Sequence, residues 1–206
     1  MELTTIGSLL TVATVPQPAG MQAWTRSALQ ACALAEEEGA PLWQTLSTTL
    51  ETSGWVAEAS SQQTLPLPML AGALRADPGL AGLLDRRGGV ALPDEATALL
   101  DAWWTASLTT SGPTDLVMLA GTLQTDAQRR PTAQLYAVTL PAPSWRWLVR
   151  TQLVPTRLHR LSLRLDERRH ELLARILDER TRAHLDRVRR VQVDAGARGS
   201  ATPGLH

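Results

Sequence analysis

The spacing of hydrophobic residues changes at residues 111–113, a Ser-Gly-Pro sequence. Before this point, apolar residues recur every three to four positions, which is typical of helices with one buried face. After it, apolar and polar residues alternate, which is typical of strands with one face toward a core. A chain of 206 residues that changes period in this way is expected to adopt an α+β fold, with most helices before the change and most strands after it.

The first part of the chain predicts one strand followed by helices. Residues 2–15 are rich in Thr, Val and Leu and end at a Pro-Gln-Pro sequence, which predicts a single N-terminal strand. Residues 55–68 have no clear period, and we interpret them as an extended connection. Helical spacing predicts helices over residues 21–38, 42–53, 68–76, 78–85 and 93–109.

The second part predicts an antiparallel meander and a long closing helix. Short connectors that contain proline separate four alternating segments, so each strand is expected to pair with the strand before it. A helical period returns after the meander. The predicted strands are 115–124, 132–140, 144–154 and 156–165, and the closing helix is 166–191.

These patterns suggest three regions. We expect a mainly helical region with an N-terminal strand over residues 1–110, and a meander plus closing helix over residues 111–192. Residues 193–206 are rich in Gly, Ala and Ser and predict a flexible tail.

The net charge of zero hides a strong separation of charge along the chain. Residues 1–145 contain six Arg and 13 acidic residues, a net charge of −7, whereas residues 146–206 contain 14 Arg and seven acidic residues, a net charge of +7. All 20 basic residues are Arg. Such an asymmetry indicates a surface that binds a polyanion or an intermolecular contact.

Alternation places several of these Arg residues on one face of the last two predicted strands. If the two strands pair with these faces together, four guanidinium groups form a basic ribbon that could neutralise phosphates. We call this set the Arg ribbon: Arg146, Arg150, Arg160 and Arg164.

Trp145 and Trp147 share the opposite face of the third predicted strand. Because the chain has no Phe and one Tyr, Trp must supply aromatic bulk, and both residues are candidates for the core. Alternatively, together with Tyr136, they form a platform on which bases or a partner peptide stack. Trp104 or Trp55, if exposed, would anchor a protein interface.

The closing helix has two interpretations. Its Arg residues alternate with acidic residues at spacings of three and four, as in Glu171 and Arg175, which is typical of a solvated helix with salt bridges. The helix also has an apolar stripe that could pack on a second copy or on a neighbouring subunit. The stripe consists of Leu172, Leu173, Ile176, Leu177, Ala183, Val188 and Val191.

Several kinds of chemistry are excluded or find no support. A chain without Lys has no phosphate-binding loop of the Walker type and no Lys Schiff base. His170 and Glu171 begin a zinc-protease pattern, but Ala174 stands where the second His is required. We predict no metal site and no cofactor, and the sequence leaves open whether the protein is an enzyme.

Cys32 is the single cysteine, so no intrachain disulfide can form, and its apolar surroundings predict a buried, inert thiol. We therefore expect a reduced, cytoplasmic protein. The N-terminal apolar stretch lacks the basic start of a signal peptide, and we expect no transmembrane helix.

We expect a non-enzymatic binding protein that acts as a subunit of a larger assembly through its Arg-rich C-terminal half, with another protein or a second copy as its partner. One alternative is a nucleic-acid-binding protein that uses the Arg ribbon. The other is a small enzyme or ligand-binding protein with a dispersed site. A deep polar cavity lined by His159 or His170 with acidic neighbours would favour this last alternative.

Overall fold

The computed structural model describes residues 1–14, 17–89, 92–110, 115–141 and 155–193. These residues form six α-helices, seven strands and one 3₁₀ helix, Arg182–Arg187. In chain order the other elements are β1 (Glu2–Ile6), β2 (Leu9–Ala13), α1 (Pro18–Glu38), α2 (Leu42–Thr52), β3 (Trp55–Pro66), α3 (Leu67–Arg75), α4 (Pro78–Gly89), α5 (Asp94–Thr110), β4 (Asp115–Thr125), β5 (Pro131–Pro141), β6 (Pro155–Leu165), α6 (Glu167–Thr181) and β7 (Val188–Gln192).

All seven strands belong to one mixed sheet with the order β3-β6-β5-β4-β2-β1-β7. The pairing of β2 with β4 is parallel, with Leu9 opposite Leu119, and the other pairings are antiparallel. The sheet combines three strands from residues 1–110 with four strands from the rest of the chain.

The predicted fold, with one N-terminal strand, a helical first half and a four-strand antiparallel meander before the closing helix, is wrong. Residues 2–13 form a hairpin of two strands, with Ile6 opposite Leu9. Gly7 adopts a φ of 57°, in the left-handed region that glycine occupies without steric cost, and so permits this tight turn. Both hairpin strands are buried, so the segment has no alternating pattern that would reveal the turn.

Two further strands were not expected. Residues 55–66 form β3, an edge strand whose middle is exposed on both faces, so hydrophobic alternation could not reveal it. The closing helix ends at Thr181 and is followed by the 3₁₀ helix and then by β7. β7 is held in the extended conformation by its pairing with β1, which is about 185 positions earlier in the chain, so local spacing could not predict it.

The meander in the structure has three strands, β4, β5 and β6. β5 pairs directly with β6, with Tyr136 opposite Arg160. The predicted strand over residues 144–154 falls outside the described residues, and so does the predicted tail except for Val193, which is buried. The parallel contact with β2 joins the meander to the N-terminal hairpin and makes the sheet mixed.

Helices cover both faces of the sheet. On the first face, α1 and α2 cover a core that includes Trp24 and Trp55, whose rings meet edge to face at 5.5 Å. The indole Nε1 of Trp24 donates to the Thr11 hydroxyl at 2.8 Å. A Cβ atom at Gly121 would lie 2.6 Å from the Trp24 ring, so β4 needs glycine there. On the second face, α3, α4 and α5 cover a separate core rich in Leu.

Candidate functional site

The first turn of helix α6 is held by a side-chain cap and by a backbone hydrogen bond to the turn after α2. The Asp166 side chain caps the helix by accepting from the backbone N–H of Arg169 at 3.1 Å. The backbone N–H of Asp166 donates to the carbonyl oxygen of Gly54 at 2.8 Å. Gly54 has a φ of 103°, and a Cβ atom there would lie 2.9 Å from the backbone nitrogen of His170. This close approach docks the start of α6 on the turn that follows α2.

The inward face of α6 is buried against α1 and α2. Nδ1 of His170 donates to the carbonyl oxygen of Ser53 at 2.8 Å, and His170 and Leu177 are both buried. His170 is therefore a structural residue that fixes the helix. It takes no part in an exposed polar site.

The outward face of α6 carries large apolar side chains in solvent. Leu172 is 83% exposed and Ile176 is 49% exposed, one helical turn apart. The predicted apolar stripe is thus divided, because Leu177 is buried, Leu172 points away from the molecule, and Ile176 is half exposed at the edge of the contact with α1 and α2. Leu172 has no packing role within the described part of the chain, and half of the Ile176 side chain is available to a partner.

Arg residues surround the exposed pair. Arg175 forms an ion pair with Glu179 in which both side chains are largely exposed, so it contributes little to stability. Three other Arg residues of α6 form no ion pair with any described residue: Arg168, Arg169 and Arg180. We call the side chains of Leu172, Ile176 and these four Arg residues the basic surface.

Helix α5, on the second face of the sheet, has an excess of acidic residues. It contains Asp94, Glu95 and Asp101 and no basic residue, a net charge of −3. Trp104 is 39% exposed and Leu108 is 36% exposed, one turn apart and on the same side of the helix as Asp101. We call Asp94, Asp101, Trp104 and Leu108 the acidic surface. The sequence indicated Trp104 as an interface anchor if exposed, and Trp55 is buried.

The structure describes two residues of the predicted Arg ribbon, Arg160 and Arg164, and both guanidinium groups contact other parts of the protein. Arg160 donates to the carbonyl oxygen of Ala73 at 3.2 Å, and its guanidinium lies over the Tyr136 ring at 5.3 Å. Arg164 donates to the Glu58 carboxylate at 2.8 Å, beside a register shift in β3. Arg146 and Arg150 lie outside the described residues, as do Trp145 and Trp147.

Tyr136 is buried and belongs to a hydrogen-bond network centred on Asp77. One oxygen of the Asp77 carboxylate accepts from the hydroxyls of Tyr136 and Thr122, each at 2.7 Å. The other oxygen accepts from the backbone N–H groups of Gly79 and Leu80, and so caps α4. Burial raises the pKa of Tyr136, and its hydrogen bond to Asp77 acts in the same direction. This network anchors α4 on the sheet.

His159 lines a cavity of about 480 Å³ at the end of α1. The ring centroids of His159 and Trp43 are 5.7 Å apart, and Arg157 and Asp115, 3.6 Å from each other, lie on the same cavity wall. The sequence predicted His159 as a possible cavity residue. It did not predict the contact with Trp43, because the two residues are 116 positions apart.

Cys32 lies on the buried side of α1, where its thiol donates to the carbonyl oxygen of Ile6 at 3.7 Å. Burial, reinforced by the neighbouring Glu36 carboxylate, raises its pKa to about 12. The described residues contain no cluster of three or more His, Cys, Asp or Glu side chains that could hold a metal ion. Among the described helices, none combines the length and the apolar composition needed to cross a membrane.

The chain matches no protein-family model and no curated protein. Among solved structures it is similar to the Evf virulence factor, with a TM-score of 0.46 and 10% identity over 84% of this chain and 77% of that chain. It is also similar to a delta-endotoxin, with a TM-score of 0.35 and 12% identity over 78% of this chain and 83% of that chain. Similarities this distant carry no argument about function.

Proposed function

We propose that this protein is a subunit of an assembly of identical copies, in which the basic surface of one copy binds the acidic surface of the next. The observation that carries the proposal is the pair of exposed apolar patches on α5 and α6, each bordered by charges of one predominant sign. Each patch supplies the apolar centre of an interface, and its charges supply a polar rim.

Charge complementarity favours a second copy over an unrelated partner. Helix α5 has a net charge of −3, and the basic surface presents four Arg residues, one of them paired with Glu179. Helix α6 as a whole has four Arg and four acidic residues, one of which, Asp178, is neutralised by Arg26 of α1. Opposite charges at the rim speed encounter and align the two surfaces, while like charges disfavour the pairing of α6 with α6. The sequence asymmetry of −7 and +7 agrees with this arrangement.

The position of the two surfaces determines the kind of contact. The buried side of α5 packs on the second face of the sheet, whereas α6 packs on α1, which covers the first face. Two different surfaces on opposite sides of one subunit make a head-to-tail contact. Such contacts form closed rings or open filaments, depending on the rotation between successive copies.

Sedimentation velocity tests the proposal with two variants. Leu172→Ser/Ile176→Ser removes the apolar centre of the basic surface, and Trp104→Ser/Leu108→Ser removes that of the acidic surface. Each variant alone is expected to be monomeric at concentrations where the parent chain associates. An equimolar mixture is expected to form dimers and nothing larger, because the two variants together retain one intact pair of surfaces.

The matched control is Met69→Ser, which removes a side chain that is 60% exposed on α3, outside both surfaces. This variant is expected to associate like the parent. A parent chain that stays monomeric at all concentrations would contradict the proposal, as would a mixture that fails to dimerise. Association that appears only with added nucleic acid, and that disappears in Arg146→Ser/Arg150→Ser, would favour the nucleic-acid alternative instead.

A further inference from the structure

A cavity of about 760 Å³ lies between α1, the end of α6, the 3₁₀ helix and the edge of the sheet formed by β1 and β7. This volume is within the range of pockets that hold small organic ligands. It is separate from the basic surface, because none of the residues that define that surface lines it. Its charged lining residues are Glu2, Arg26, Asp178, Arg182 and Arg190.

Both carboxylates of the cavity already have partners. Asp178 accepts from Nε and Nη2 of Arg26, the second at 2.8 Å, so this pair is internally neutralised. Glu2 accepts from the side-chain amide of Gln192 at 2.6 Å and, more weakly, from the hydroxyl of Thr4 at 3.4 Å, both neutral donors. The formal charges of the five lining residues therefore sum to +1, with Glu2 opposed by two guanidinium groups.

The remaining two guanidinium groups are not neutralised. Arg190 donates to the Thr25 hydroxyl at 3.3 Å, a neutral acceptor. Arg182 is exposed, and neither it nor Arg190 forms an ion pair with any described residue. The first turn of α1 also borders the cavity, and it has no acidic residue and no side-chain cap. Its helix dipole therefore adds positive potential on the same side.

The uncharged lining of the cavity is mixed, with three polar residues beside four apolar ones. Met21 and Leu29 on α1 are buried side chains that form part of the wall, and Leu185 on the 3₁₀ helix is exposed at the other side. A ligand that fills this space would bury apolar surface and also place a negative group beside two guanidinium groups.

From this arrangement we infer that the cavity binds a small organic anion with an apolar body. Arg182 and Arg190 bind the carboxylate or phosphate group, and Met21, Leu29 and Leu185 contact the apolar part. The inference does not depend on the assembly proposed above, because it rests on a different set of side chains.

Isothermal titration calorimetry with four probes tests the inference: 1-naphthyl phosphate, 1-naphthoate, neutral 1-naphthol and inorganic phosphate. The two aromatic anions are expected to bind at least about ten-fold more tightly than 1-naphthol, because they form charge-assisted hydrogen bonds. They are also expected to bind more tightly than inorganic phosphate, which has no apolar part. The ratio between the two anions shows whether the site prefers a phosphate or a carboxylate.

Two variants in β7 form a matched pair. Arg190→Gln is expected to weaken binding of both aromatic anions by about ten-fold or more, and Arg182→Gln/Arg190→Gln more strongly. Arg189→Gln removes the same charge from the adjacent position, which does not line the cavity, and is expected to change the affinity less than about two-fold.

The inference is overturned if 1-naphthol binds as tightly as the anions, if inorganic phosphate binds as tightly as 1-naphthyl phosphate, or if Arg189→Gln weakens binding as much as Arg190→Gln. Absence of measurable binding to either aromatic anion overturns it as well. Repeating the titrations in the Leu172→Ser/Ile176→Ser background separates ligand binding from assembly, and circular dichroism checks that each variant is folded.

Discussion

The two faces of the sheet are covered by helices that are held in different ways. On the second face, the buried carboxylate of Asp77 joins α4 to β4 and β5 through two hydroxyl donors. On the first face, α1 and α2 pack mainly through apolar contacts, and α6 is fixed on them by the buried imidazole of His170 and by the Arg26–Asp178 ion pair with α1. The outward side of α5 then carries acidic residues and that of α6 carries the four Arg residues of the basic surface, although α6 as a whole has four Arg and four acidic residues.

This difference shows how a chain with no net charge can present one acidic surface and one basic surface, each of which favours a partner of the opposite charge. Each outer helix uses one side to pack and, among the residues that the structure describes, leaves the other side exposed, with apolar and charged residues together on that side. The inner sides are held mainly by buried contacts that depend little on salt, the Arg26–Asp178 ion pair being the exception, whereas contacts between the outer sides are expected to weaken with salt. Substitutions on the two sides should therefore affect different measurements.

The largest expected effect is on the second face, at Asp77. Asp77→Ala leaves the buried hydroxyls of Thr122 and Tyr136 without their acceptor and removes the cap of α4. We expect a loss of about 2–4 kcal/mol in the free energy of unfolding, measured by urea denaturation. Asp101→Ala on the exposed side of α5 is the control, with an expected change within about 0.5 kcal/mol. Equal losses of unfolding free energy in Asp77→Ala and Asp101→Ala would contradict the distinction between buried anchoring residues and exposed surface residues.

A similar contrast is expected within α6. Leu177→Ala creates a cavity against α1 and should cost about 2–3 kcal/mol of unfolding free energy. Leu172→Ala, on the exposed side of the same helix, should change the unfolding free energy by less than about 0.5 kcal/mol while weakening self-association. If Leu172→Ala destabilised the monomer as much as Leu177→Ala, Leu172 would have a packing role rather than an interface role.

Reversal of charge tests whether the acidic surface on α5 of one copy contacts the basic surface on α6 of another. Asp101→Arg places a positive charge on the acidic surface and is expected to weaken self-association by about ten-fold at low salt. Combining it with Arg175→Asp on the basic surface should recover most of the affinity, because each contact again joins opposite charges. Sedimentation at low and high salt measures both effects. Failure of the second substitution to restore association would show that these two residues do not meet.

The smallest effect near neutral pH is expected at Cys32, in the layer between the sheet and α6. Its pKa is raised from 9.0 to about 12 in the folded protein, so the folded state holds this proton more tightly than the unfolded state. The contribution to stability is therefore complete below pH 9 and is lost as the pH rises toward 12. Iodoacetamide should react slowly with the folded protein at pH 8 and rapidly after denaturation. Fast reaction with the folded protein would show that the thiol is accessible.

Local sequence patterns were informative for helix α5, which has one buried and one exposed side and whose position follows from the sequence. The positions of β4 and β5 also follow from the sequence, although each strand contributes residues to the cores on both faces of the sheet. Patterns failed at two other places. Residues 2–15 were predicted as one strand, because β1 and β2 are buried on both faces and no change of pattern marks the turn between them. Most of β3 is exposed on both faces, so it lacks the alternation that identifies a strand.

The candidate sites divide in a similar way. The Arg-rich character of the C-terminal half was accessible from the sequence, because charge and composition need no coordinates. The sequence named Trp104 and Trp55 as interface anchors only if exposed, and the structure decided that Trp104 is exposed and Trp55 is buried. The cavity beside Arg182 and Arg190 was not accessible. It forms because β7 pairs with β1, and this pairing brings Arg190 near α1, more than 160 residues earlier in the chain.

The sequence by itself determined the separation of charge, the absence of lysine chemistry and of intrachain disulfides, and the presence of an amphipathic closing helix. These properties follow from residue identity and from spacing within one element. Only the tertiary structure decided which side of that helix is buried, which arginines lack ion-pair partners and which residues from distant segments share a cavity. The physical reason is that burial and ion pairing depend on contacts between elements far apart in the chain, and local periodicity does not record those contacts.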